Sequence, residues 1–234
     1  MSNPASTDVL DLLTEFPQSA GAFAEMQRYI EQVSQFADFP SAQLVTRLQA
    51  ELKRTNDPVR EGELQYEIEV AEADGRSVVP RIVWGSILVA IYATFEAGVK
   101  AALLHWGANV PGAKTFECKR QGQFLDIAAA YAAEQVGVAL FSNPSLKADV
   151  LDLKTLRNSF AHSAGRVPSR RAELQQAIGR ACSRGHPILI EGETWITTPR
   201  AAAFYFLRAQ QASKIFSAAV MEKYIARMVP STDA

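Results

Sequence analysis

The chain has 234 residues, of which 48% are hydrophobic and 21% charged, the usual balance of a folded protein with a sizeable core. This composition excludes a disordered tail protein, a collagen-like chain and a disulfide-stapled miniprotein. The net charge of −1 argues against coating of nucleic acid by bulk positive charge, but it hides a split. Residues 1–80 hold 6 Lys and Arg against 14 Asp and Glu, whereas residues 81–234 hold 18 against 11.

The amino terminus and the two cysteines predict a cytoplasmic protein. The first residues carry Asp8 and Asp11 and lack the cationic and apolar regions of a secretory signal. Cys118 and Cys182 have no CxxC partner and no clustered histidines, so neither a disulfide framework nor a metal site is predicted. The apolar stretch 82–95 is shorter than the ~20 residues of a membrane span. We therefore expect a buried helix and no membrane association.

In chain order, the elements are mostly helical in pattern. Apolar spacing, helix-forming residues and helix start signals predict helices over 41–52, 79–106, 124–141, 145–164 and 169–182. The stretch 57–73 is acidic, has few large apolar residues and is expected on the surface. Asp74–Gly75 is typical of a helix stop. β-branched runs on either side of Glu191–Gly192–Glu193 indicate a hairpin, and Pro199 then begins a last long helix. The sequence thus predicts an all-α protein with a small β-hairpin before the last helix.

One segment near the end of the helix 145–164 carries chemistry, namely Arg157–Asn158–Ser159–Phe160–Ala161–His162. An arginine can stabilise phosphoryl oxygens by a bidentate contact, and a histidine can take or donate a proton near neutral pH. On one straight helix the directions of Arg157 and His162 differ by about 140°. At a helix end, or across a symmetric dimer, both could still line one cleft. The alternative is a surface arginine and a histidine that is favoured by the helix dipole.

This segment resembles the signature of the HEPN superfamily (higher eukaryotes and prokaryotes nucleotide-binding), which is Arg, a polar residue that is often Asn, a few residues and His. A second match lies in 91–100, where Phe95, Glu96 and Lys100 are similar to the aromatic–Glu–Lys helix of several prokaryotic HEPN groups. The hairpin and closing helix also look like those groups, the MAE-type and RiboL-PSP-type. The resemblance covers roughly 79–228 and implies an HEPN-like helical bundle over 79–234. Residues 1–78 lie outside it and are predicted to form an acidic helical extension.

The resemblance also implies a function, that of a metal-independent endoribonuclease of the toxin or phage-defence kind, with no cofactor. Arg157, Asn158 and His162 would be catalytic, and two motifs would meet in a homodimeric cleft. The expected partners are RNA, a second copy and an antitoxin or regulatory protein. Ala164 stands where many HEPN toxins have a tyrosine that a partner modifies, so this regulation is not expected. The competing function is a non-catalytic HEPN module that binds RNA, nucleotide or a protein partner.

Glu96 is a candidate for a supporting role because an unpaired carboxylate in an apolar helix is costly. Lys100, four residues further on, is its cheapest partner. We expect Glu96 also to orient Arg157 or Asn158 from a neighbouring helix. The alternative is an exposed Glu96–Lys100 pair without a role in chemistry.

The cations that follow the motif are candidates for RNA binding. Arg166, Arg170 and Arg171 would hold phosphates beside the cleft, a salt-sensitive contribution. A basic, solvated face is the alternative reading of the same residues. The three tryptophans are scattered and are expected in a core or an interface, not in a ladder that stacks bases.

Overall fold

The computed structural model describes residues 17–36, 39–118, 123–163, 165, 172–191 and 194–228. This part of the chain is all-α apart from a two-stranded hairpin directly before the last helix, which confirms the predicted class. The helices are α1 (Pro17–Phe36), α2 (Phe39–Leu52), α3 (Pro58–Ala73), α4 (Val79–Asn109), α5 (Phe124–Tyr131), α6 (Pro144–Ser163), α7 (Ala172–Ser183) and α8 (Pro199–Met228). The strands are β1 (Ile188–Glu191) and β2 (Thr194–Thr197).

Helix α3 runs into α4 without interruption, so the stop predicted at Asp74–Gly75 is wrong. A five-residue π-helical turn, Asp74–Val78, joins the two helices. A side chain at Gly75 would place its Cβ 2.7 Å from the Cβ of Ser41 on α2, so this glycine permits close packing and does not end a helix. The boundary predicted between 1–78 and 79–234 falls at the end of this turn. The boundary also implies that the residues on its two sides have separate functions, and this implication stays a prediction.

The helix predicted over 124–141 ends earlier than expected. α5 is followed by a second π-helical turn, Ala132–Val136. Gly137 then has a φ of 77°, a left-handed conformation that glycine adopts without strain. The apolar pattern continues beyond this residue, but the backbone conformation of Gly137 ends the helical run.

Contacts along the chain define two compact units. Of the described residues, the first unit comprises 17–26, 91–118, 123–151 and 206–228, and the second comprises 27–36, 39–90, 152–163, 165, 172–191 and 194–205. The candidate motif and the hairpin therefore belong to the second unit, together with α2, α3, α7 and the first turns of α4. Glu96 and Lys100 belong to the first unit.

Aromatic side chains and one ion pair hold the first unit together. Phe23 meets Phe206 edge to face, with 5.8 Å between ring centroids. Asp149 is only 1% exposed, and the guanidinium of Arg208 bonds its carboxylate at 2.5 Å. A buried carboxylate needs such a partner, because an uncompensated charge in the core would be strongly unfavourable.

The second unit is built on buried aromatic and aliphatic side chains from several elements. Trp84 on α4, Leu156 on α6 and Trp195 on β2 are each at most 2% exposed. Trp106, in the first unit, is fully buried as well. The three tryptophans were expected in a core or an interface, and the structure places all three in the core.

The helical run 58–109 is long enough and apolar enough, in one 18-residue window of mean hydropathy 1.7, to cross a membrane by length and composition. Half of this window is buried inside the protein. Ile87, Leu88 and Ile91 are at most 1% exposed, as in the core helix of a folded protein. The cytoplasmic location stays a prediction.

Candidate functional site

The helix that carries the motif has well-defined ends. The side chain of Asn143 accepts hydrogen bonds from the backbone N–H groups of Ser145, at 2.8 Å, and Leu146, at 3.2 Å, and Pro144 occupies the first helical position. At the other end, Gly165 has a φ of 80°, the left-handed conformation that commonly follows a helix. α6 therefore presents Arg157, Asn158 and His162 from its last two turns.

Arg157 and Asn158 form a direct pair. The Nη1 of Arg157 donates to the Oδ1 of Asn158 at 2.8 Å, and both side chains are half-buried. The amide nitrogen of Asn158 makes no hydrogen bond within the described part of the chain. The side-chain carbonyl of Asn158 therefore accepts from Arg157, and the side-chain N–H groups of Asn158 are available to donate to a ligand oxygen.

His162 lies in the last turn of α6, and its side chain is exposed. It lines an open pocket to which α4 also contributes. The lining residues are Ser86, Val89, Phe160, Ala161, His162 and Ser163. Arg157 does not line this pocket, in keeping with the 140° separation on one helix. Within one chain, Arg157 is thus hydrogen-bonded to Asn158, whereas His162 lines a pocket to which Arg157 does not contribute.

Trp195 of the hairpin fixes the end of α6 through three contacts. Its Nε1 donates to the buried Ser159 Oγ at 3.1 Å, and its backbone N–H donates to the carbonyl of Gly165 at 2.8 Å. Its ring meets that of Phe160 edge to face, with 6.3 Å between centroids. These contacts lie on both sides of His162 in sequence. The hairpin therefore sets the position of the helical turn that carries the histidine.

Replacing Trp195 by Phe should destabilise the protein, because it keeps an aromatic ring but removes the N–H that satisfies Ser159. Trp106→Phe is the matched control, since its buried Nε1 has no hydrogen-bond partner among the described residues. We expect Trp195→Phe to lower the free energy of unfolding by about 1 kcal/mol more than the control does. Urea unfolding measures both values, and equal losses would contradict the role of the hydrogen bond.

Asp152 anchors α7 to the same helix. Its carboxylate is buried, and the guanidinium of Arg180 binds it through Nη2 at 2.5 Å and Nε at 2.9 Å. The hydrogen bond to Asp152 raises the pKa of Arg180, although partial burial acts in the opposite direction. Arg180 is one of the 18 Lys and Arg residues of the basic part 81–234, but the carboxylate of Asp152 neutralises its charge within the protein.

Lys100 does not pair with Glu96. Lys100 is exposed and forms no ion pair with any residue in the ranges that the structure describes, so the expected i,i+4 pair is absent. Glu96 is half-buried. Its predicted role in orienting Arg157 or Asn158 joins residues of the two compact units and stays a prediction. Arg166, Arg170 and Arg171 lie outside the described residues, and their predicted contact with RNA also stays a prediction.

The other two histidines, His105 and His186, pack against aromatic rings. His186 stacks on Phe204 with 4.0 Å between ring centroids. His105 is half-buried against the ring of Tyr224, at a centroid distance of 5.4 Å. Both rings make aromatic contacts, whereas His162 faces an open pocket. This difference selects His162 as the candidate for proton transfer.

Three contributors to the site escaped the sequence pattern. Ser86 and Val89 are ordinary residues of an apolar helix, and only the packing of α4 on α6 brings them beside His162. Trp195 was expected in a core, and its burial is confirmed, but its bond to Ser159 needs the hairpin geometry. A hairpin immediately before the last helix was the one available signal for the position of Trp195.

The fold and this site define an all-α protein with an Arg–Asn pair and an exposed histidine on one helix. No protein-family model matches the chain, and no curated protein or solved structure is detectably similar to it.

Proposed function

We propose that the protein is a metal-independent endoribonuclease of the HEPN type, a toxin or phage-defence effector that acts as a homodimer. The observation that carries this proposal is the exposed His162 in the last turn of α6, a little more than one turn after the hydrogen-bonded pair of Arg157 and Asn158. The order of the three residues along the helix is that of the HEPN motif.

The reaction needs one base, one acid and a group that stabilises the phosphoryl oxygens. A neutral imidazole of His162 takes the proton of the 2′-OH, whose oxygen attacks the adjacent phosphorus. The bond from phosphorus to the 5′ oxygen breaks, and a protonated imidazole or water gives a proton to that oxygen. The guanidinium of Arg157 stabilises the charge that develops on the phosphoryl oxygens. The products are a 2′,3′-cyclic phosphate and a 5′-hydroxyl.

A cleft between two copies fits the separation within one chain. Arg157 does not line the pocket of His162, and the two directions on α6 differ by about 140°. A symmetric dimer can bring Arg157 of one copy to His162 of the other, and the reverse contact follows from the symmetry.

Purified protein incubated with total RNA in EDTA tests the proposal. We expect cleavage in the chelator, with 2′,3′-cyclic phosphate and 5′-hydroxyl ends detected by end-specific labelling. Absence of cleavage across RNA substrates and salt concentrations, together with measurable RNA binding, would favour the non-catalytic binding module. Cleavage that leaves 5′-phosphate ends would contradict the mechanism.

A further inference from the structure

The pocket beside His162 has a volume of about 530 Å³ and lies within the second compact unit. Pockets that hold small organic groups have roughly 300–1,000 Å³ and are lined mainly by apolar side chains with a few polar groups. The space is therefore sufficient for a flat ring system the size of a nucleobase.

The lining favours an uncharged ring over a phosphate. Val89, Phe160 and Ala161 supply apolar surface, and among the described lining residues His162 is the one with an ionisable side chain. This described part of the lining offers a phosphate neither arginine nor lysine, whereas the faces of a base find apolar partners there.

One hydroxyl group, that of Ser86, can read the polar edge of such a ring. The hydroxyl of Ser163 donates to the carbonyl of Ser159 at 2.5 Å, so its proton is used within α6. Ser86 is exposed and makes no hydrogen bond within the described residues, so its hydroxyl can both donate and accept.

The Phe160 wall of the pocket is held in place from two sides. A Cβ on Gly85 would lie 2.2 Å from Cε2 of Phe160, so the ring packs directly on the backbone of α4. The edge of Trp195 meets the same ring from the hairpin. A wall that is fixed before binding lowers the entropic cost of ordering and favours discrimination between bases.

We propose that this pocket binds the nucleobase next to the phosphodiester on which His162 acts, and that Ser86 is a specificity-determining residue. The inference rests on the proposed ribonuclease function and deepens it, because a base and its neighbouring phosphate are linked through one ribose. Occupation of the pocket by a base then sets the phosphate beside the imidazole.

The probes are the four nucleoside 3′-monophosphates, with inorganic phosphate as the reference ligand. Chemical shifts of the His162 ring and of the Ala161 amide report binding without any cleavage. We expect one base to bind at least about tenfold more tightly than inorganic phosphate. Ser86→Ala should reduce the preference between bases about three- to tenfold, as the loss of one hydrogen bond does.

Ser86→Trp should fill the pocket and weaken nucleotide binding at least about tenfold. Ile82→Trp, at an exposed position one turn earlier on α4, is the matched control and should leave binding unchanged. Unchanged binding in Ser86→Trp, or equal binding of phosphate and all four nucleotides, would overturn the assignment. Base binding without RNA cleavage contradicts only the ribonuclease proposal, and cleavage with no effect of Ser86→Trp contradicts only the pocket.

Discussion

His162→Ala is expected to lower the rate of RNA cleavage by about a hundred- to ten-thousandfold, the usual contribution of a positioned acid or base. The side chain is exposed, so its removal should leave the free energy of unfolding nearly unchanged. Single-turnover cleavage of a labelled RNA in EDTA measures the rate, and urea unfolding measures the stability. A rate within a few-fold of the unsubstituted protein would remove the proposed mechanism.

His186→Phe is the matched control for the loss of an imidazole. It keeps an aromatic ring stacked on Phe204, and His186 does not line the pocket of His162, so cleavage should not change appreciably. Arg157→Lys tests the second catalytic residue, because it keeps the positive charge but removes the planar, bidentate donor. We expect this variant to lose cleavage as well, in addition to its bond with Asn158.

Mixed dimers test whether the cleft takes residues from both copies. When Arg157→Ala and His162→Ala proteins are unfolded together and refolded as a mixture, half of the dimers contain one copy of each. If Arg157 of one copy serves His162 of the other, each mixed dimer has one intact cleft, and about a quarter of the original activity returns. No recovery would show that the two residues act within one chain.

The sequence predicted the classes of the elements better than their ends. The sequence correctly indicated α2 and the helices from α4 onward, Pro199 indicated the start of the last helix, and the β-branched runs indicated the hairpin. For α1 and α3 it gave only a general expectation of a helical extension. The helix stop expected at Asp74–Gly75 is wrong because a glycine can either end a helix through its backbone freedom or allow another element to pack closely. Gly75 does the latter, since it lets Ser41 of α2 approach the backbone. A single sequence does not distinguish these purposes, because the difference lies in a neighbouring helix.

The candidate site shows the same limit. The order Arg157, Asn158 and His162 is visible in the sequence, and the structure adds the bond between the first two. The expected pair of Glu96 and Lys100 is absent, because a spacing of four residues only makes such a pair possible on a solvated helix. Ser86 and Trp195 join the site through packing between elements that are distant in sequence.

The second large effect is expected at the ion pair between Asp152 and Arg180. Arg180→Met should lower the free energy of unfolding by about 2–3 kcal/mol, since it leaves the carboxylate of Asp152, only 3% exposed, without a partner. Arg180 itself keeps 44% of its side-chain surface exposed, and solvent screening places the effect below that of a fully buried pair. Urea unfolding at neutral pH measures the change.

A double variant tests why Arg180→Met is less stable. Replacing a buried charge pair by an apolar pair of similar volume often leaves the stability of the protein unchanged. Asp152→Leu combined with Arg180→Met should therefore recover most of the loss, to within about 1 kcal/mol of the original protein. Arg76→Met breaks the exposed pair with Glu72, at 2.8 Å, and is the matched control, with an expected change of about 1 kcal/mol or less. If the double variant were as unstable as Arg180→Met, packing of the arginine stem between α6 and α7 would be the cause of the loss. Recovery of stability in the double variant would instead assign the loss to the unpaired carboxylate of Asp152, on the helix that carries His162.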